Sequence, residues 1–161
     1  MASQTSRKSA ILDRAERLLG TPYAHMGRSR RGIDCVGLLL YALDIDEREI
    51  PEAEKLRTIA PGYYDSTRWR YNRKDPSHRE ACVFLRDALT KRLLYANIRD
   101  LMPGDVLLMA WKIREEGLGD HVAIYAGRNQ IIHADMHAGV VRDDIEDDMW
   151  RRIVAAYRSR E

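Results

Sequence analysis

The sequence predicts an α+β domain in which N-terminal helices pack on a C-terminal antiparallel sheet. Three observations carry that expectation. The first half of the chain spaces its apolar residues at helical intervals. The second half consists of short β-rich segments punctuated by Gly, Asn and Asp. The whole chain has 161 residues, enough for one core and too few for two, so a single domain over 1–161 is expected.

Taken in order, Ile11, Leu12, Ala15, Leu18 and Leu19 line one face of a helix over Ser9 to Leu19, with Asp13, Arg14, Glu16 and Arg17 opposite. Gly20, Thr21 and Pro22 end it. A second helix should begin near Asp34 and run through "CVGLLLYAL", followed by the polar, acidic "DIDEREIPEAEKL". The stretch "APGYYDSTRWRYNRKDPSHRE" is rich in aromatic, Pro and Arg residues and reads as a long ordered loop or lid. A third helix spans roughly Arg79 to Leu94. Then "DVLLMAW", "DHVAIYAG", "NQIIHAD", "AGVVRD" and "RRIVAAYR" supply four or five antiparallel strands, with "GRNQ" as a hairpin turn.

Composition narrows the function classes. With 27 basic against 25 acidic residues the net charge is +2, so no global field favours nucleic acid or an anionic membrane. Two cysteines, Cys35 and Cys82, are too few for a disulfide framework or a Cys-rich zinc site. The first twenty residues contain no apolar run of signal-peptide length, and no stretch is long and apolar enough to insert in a membrane. The expectation is a chain that stays in the cytoplasm as synthesised.

Cys35 marks the chemistry. It stands where a basic loop, "RSRRGID", turns into an apolar helix, with Asp34 placed to cap that helix. Unpaired N–H groups and the dipole at a helix start favour a thiolate, but the Asp34 charge opposes one, so a cationic partner is required. His121 opens one strand and His133 closes the next, and a tight hairpin would bring both to one end of one sheet face. Singly, each residue fits a bland role: a buried core cysteine, or a strand-end histidine bonded to backbone. As a set they form nucleophile, base and orienting group, with either histidine able to serve as the base. His25 and His137 are secondary. A zinc site using His133 and His137 with Cys35 and His121 is the rival, but that four-residue spacing suits a helix, whereas the segment reads as strand and turn. No cofactor motif is present, and "GRSRRG" lacks the ending of a phosphate loop.

Four stretches, "GTPYAHMG", "GIDCVGLLLYAL", "LMPGDVLLM" and "DHVAIYAGRNQIIHA", together resemble the NlpC-type cell-wall cysteine peptidases, a papain-like family. "GVVRDDIEDDMWRRIVAAYR" extends the likeness toward the branch found near phage tail-assembly genes and in gene-transfer particles. The resemblance implies a papain-like NlpC-type fold and a hydrolase that cleaves peptidoglycan stem peptides, typically between D-γ-glutamyl and a diamino acid, with no metal. It makes Cys35 the nucleophile, His121 the general base and His133 the group orienting it. Tyr23 and Asp34 would position substrate or oxyanion. Val36, Met26 and Ala123 depart from the family's usual residues without deleting a catalytic group.

A thiolate–imidazolium pair between Cys35 and His121 is the expected resting form. His25, Arg28, Arg30, Arg31 and Trp69, with Tyr63 and Tyr64, are candidates for holding the substrate's carboxylates and sugars. Phage tail proteins are the implied partners and tail-borne transport to the envelope the implied route. The alternatives are a structural tail-tip component with little activity, or an amidase or acyltransferase using the same three side chains.

Overall fold

The computed structural model of the protein describes residues 4–59 and 76–160. Helix α1 (Gln4–Glu16) buries Ile11 and Ala15, and a turn carries Leu18 into the core while Leu19 stays exposed. The helix begins earlier and ends earlier than its apolar pattern suggests, because Leu18 reaches the core from the turn that follows. Two short antiparallel strands, β1 (Arg28–Ser29) and β2 (Gly32–Ile33), lead into α2 (Cys35–Leu43). This helix is buried on nearly every side, which its almost wholly apolar sequence permits. It ends at Asp44 in a left-handed conformation, with the Ile45 N–H returning to the Leu40 carbonyl. Helix α3 (Pro76–Arg92) buries His78, Ala81, Cys82, Leu85 and Leu89 along one stripe.

The sheet has six antiparallel strands: β3 (Leu94–Ala96), β4 (Val106–Met109), β5 (His121–Gly127), β6 (Gln130–Asp135), β7 (Gly139–Asp144) and β8 (Ile153–Arg158). Their order is β3-β8-β4-β5-β6-β7. The α+β class expected from sequence is therefore what the chain adopts, and all five anticipated strands form. Among the elements not anticipated, besides the short β1–β2 pair, are β3 and a short helix. β3 has only three residues, with Leu94 and Tyr95 exposed, so its extended form comes from pairing with β8 rather than from an apolar pattern. The single-turn helix α4 (Asp147–Arg152) takes the two arginines that sequence assigned to the last strand.

Register places the histidines. Met109 pairs with His121 and Leu107 with Ala123, so His121 shares a face with Leu107, Met109 and Ala123. The opposite face, with Leu108, Val122 and Ile124, belongs to the core that includes α1, α2 and α3. The β5–β6 hairpin closes through Arg128 and Asn129, both at positive φ (52° and 60°), a primed turn of the kind two-residue hairpins favour.

Candidate active site

Three distant segments converge at the start of β5. Asp34 caps α2: its carboxylate accepts from the Gly37 N–H at 2.8 Å, from the Met26 N–H at 2.8 Å and from Arg28 Nη1 at 2.7 Å. These bonds tie the 22–28 loop to the helix start. The two backbones come so close that a Cβ on Gly37 would collide with the Gly27 carbonyl oxygen. Tyr23 bridges to Ile33, which lays its segment beside the residues entering α2.

Cys35 follows the cap and is fully buried, and its Sγ takes a hydrogen bond from the Val122 N–H. The β5–β6 ladder pairs Ile124 with Ile132 and Tyr125 with Ile131, away from this end of β5. Toward His121 the two strands instead meet through side chains: His121 Nε2 lies 3.0 Å from His133 Nδ1. His133 Nε2 in turn lies 2.7 Å from Asp143 Oδ2 on β7. His121 and His133 are 2% and 3% exposed, so both imidazoles are held out of water. His121 Nδ1 is buried with no hydrogen-bond partner among the described residues.

Burial drives the electrostatics. It pushes the Cys35 thiol up, with the Asp34 charge adding to the effect and the Val122 N–H offsetting only part of it. It also pulls His121 down to about 3, assisted by the neighbouring His133. Both shifts run against the thiolate–imidazolium pair expected from sequence. In a dry site desolvation penalises the charged state of each group.

Other expected site residues are placed as follows. Asp34 is a cap whose oxygens are committed to Gly37, Met26 and Arg28; burial raises its pKa, and the Arg28 charge lowers it only partly. Arg28 is equally committed: Nε and Nη2 lie 3.1 and 3.3 Å from the Glu47 carboxylate and Nη1 bonds Asp34 and the Gly27 carbonyl. It clamps the loop instead of offering an open carboxylate receptor. Arg30 and Arg31 are exposed at the β1–β2 turn. His25 is half-buried in the loop before β1, with its pKa lowered first by burial. His137 is exposed in the turn after β6. Trp69, Tyr63 and Tyr64 lie outside the described residues.

Three residues were not singled out from sequence. Asp143 completes the imidazole series, and only the β6–β7 register, which pairs Ile131 with Asp143 and His133 with Val141, reveals that it shares a face with His133. Trp111 sets its half-buried ring 5.2 Å from that of His121, and the Arg152 guanidinium lies 5.1 Å from the Trp111 ring centroid. Asp120 accepts from the Trp111, Lys112 and Ile113 N–H groups at 2.6, 2.9 and 3.0 Å, which fixes the tryptophan over the imidazole. Burial would raise the Asp120 pKa, but His78 at 3.6 Å and these three donors hold it below the usual carboxylate value.

Comparison with known proteins bears on this arrangement. The chain is 26% identical over 145 residues to the probable endopeptidase NlpC of Escherichia coli K12, covering 89% of this chain and 72% of that protein. It is also 26% identical over 145 residues to the E. coli K12 murein DD-endopeptidase MepS/murein LD-carboxypeptidase, covering 90% of this chain but only 58% of that one. Among solved structures, RipD of Mycobacterium tuberculosis, described as a non-catalytic NlpC/p60 domain protein adapted to peptidoglycan binding, superimposes with a TM-score of 0.53 at 13% identity. That alignment covers 94% of this chain and 96% of RipD, and it speaks to the fold alone. The sequence pattern of the NlpC/P60 family matches residues 20–159, a span that holds Cys35, His121, His133 and the whole six-stranded sheet, and the chain belongs to that family.

Proposed function

We propose that the protein is a cysteine endopeptidase acting on peptidoglycan stem peptides, with the D-γ-glutamyl–diamino acid bond as its target. One observation carries the reading: at the start of β5, where the Cys35 sulfur meets the Val122 N–H, a buried imidazole has one nitrogen bonded to a second histidine and the other without a partner among the described residues. Such an arrangement has the makings of nucleophile, base and orienting group. The names of the E. coli relatives support peptidase chemistry on murein.

In this mechanism His121 Nδ1 takes the thiol proton as Cys35 Sγ attacks the scissile carbonyl carbon. The oxyanion is held by the Cys35 N–H, which has no intrahelical acceptor at a first helical position, and by Tyr23. Collapse breaks the C–N bond, and His121 returns the proton to the departing amine. Water then attacks the thioester carbonyl with His121 again as base, releasing the carboxylate and restoring the thiol. With burial opposing both charged forms, proton transfer in this mechanism accompanies attack instead of preceding it. The likeness of the C-terminal segment to the phage branch supports carriage to the wall by a tail particle, checked by the protein's presence in purified particles.

Incubation with purified muropeptides, read by mass spectrometry, tests the reading. Wild type is expected to release fragments cut at the γ-glutamyl bond, while Cys35→Ala and His121→Ala lose at least about 100-fold in rate. Full cleavage by either variant would sink it.

A further inference from the structure

We propose that Asp143 is a positioning residue that, acting through His133, determines which nitrogen of His121 is left free to act as base. The inference rests on the assignment of His121 as base. An ionised carboxylate can only accept a hydrogen bond, so at 2.7 Å the His133 Nε2 must carry the proton. In its neutral form His133 has that single N–H, and its Nδ1 is then an acceptor. At 3.0 Å it can bond to His121 Nε2 only if that nitrogen donates. The lone pair of His121 consequently falls on Nδ1, the buried nitrogen that has no partner among the described residues.

Reversing both imidazoles would make an equally well bonded chain, but with a proton on Nδ1, the nitrogen assigned as the base. Asp143 removes that degeneracy. Two other carboxylates influence His121 through space, and neither can do the same. Asp135 accepts from the His137 and Ala138 N–H groups, and Asp120 accepts from the backbone of 111–113. Asp143 also differs in exposure. Its side chain is 47% accessible against 4% for His133, so it is where the buried chain of hydrogen bonds reaches the surface.

Nitrogen-15 NMR of histidine-labelled protein at neutral pH reads the tautomers directly and needs no substrate. Wild type should show His121 Nδ1 unprotonated and Nε2 of both histidines protonated. In Asp143→Asn the amide can donate as well as accept. A fraction of His121 should then carry its proton on Nδ1, and kcat on muropeptides should fall about tenfold or more with KM and thermal midpoint held. That loss is smaller than the roughly 10⁴-fold seen when a buried carboxylate bonded directly to the base is replaced.

An Asp143→Asn protein with the wild-type NMR pattern and wild-type kcat would overturn the inference. So would a proton on His121 Nδ1 in the wild type, which requires no variant to fold. Failure of wild type to cleave muropeptides would refute the functional reading while leaving the tautomer pattern standing.

Discussion

Burial disfavours the charged form of both Cys35 and His121, which runs against a pair activated in advance of attack. The thiol is raised by burial and the imidazole lowered to about 3, so acidification from neutrality should leave His121 unprotonated far below the ordinary imidazole range. Alkylation of Cys35 by iodoacetamide is therefore expected to be slow and to show no step near pH 6.5, where an ordinary histidine titrates. A step there, lost in His121→Gln, would restore the ion pair. The candidates Cys35, His121 and His133 were legible because their residue types and flanking patterns are local. Asp143 was not, since its place beside His133 depends on how β7 is registered on β6 across an irregular turn. Nor was the binding of Arg28 by Asp34 and Glu47, which turned an apparent ligand contact into a clamp.

At the scale of elements, the site depends on how closely the 20–28 segment is held. Gly20 N donates to the Val140 carbonyl and Val140 N to the Thr21 carbonyl, both at 2.9 Å, which moors the segment leading to Tyr23 on β7. Gly139, at φ 79°, makes this possible: a Cβ there would strike the Thr21 carbonyl oxygen. Gly139→Ala should cost roughly 1–3 kcal/mol from backbone strain alone. The check is a lowered urea midpoint with unchanged m-value, together with a loss of activity as Tyr23 shifts. The long, periodic elements were readable from sequence because period 3.6 and period 2 are written into the side chains. β3 was not, since three residues hold no period and become a strand only when β8 arrives. α4 was hidden because an acidic first turn and a basic last turn fit a helix of one turn or a strand approach equally well.

For the molecule as a whole, the "PGD" stretch ties β4 to its two neighbours, β8 and β5. Asp105 is fully buried and receives a two-pronged contact from Arg158, Nε at 2.9 Å and Nη2 at 2.8 Å, while Nη2 also reaches the Asp100 carbonyl. Replacing Arg158 with Ala would leave the buried Asp105 charge unpaired, with the Met102 N–H at 2.8 Å still donating to it, so a loss of about 3–5 kcal/mol in unfolding free energy is expected from urea titration. A loss under 1 kcal/mol would show that water reaches Asp105. That contact depends on β8, which follows β4 to β7 in the chain yet lies between β3 and β4. Ribosomal synthesis runs in chain order, so a nascent polypeptide emerges with the hairpins β4 to β7 made and a gap beside β4. Until the last strand fills it, β4 shows a bare row of backbone donors and acceptors, open to pairing with neighbouring chains. A polypeptide stopped short of β8 would keep that gap, and aggregation rather than weakened catalysis would be its first defect.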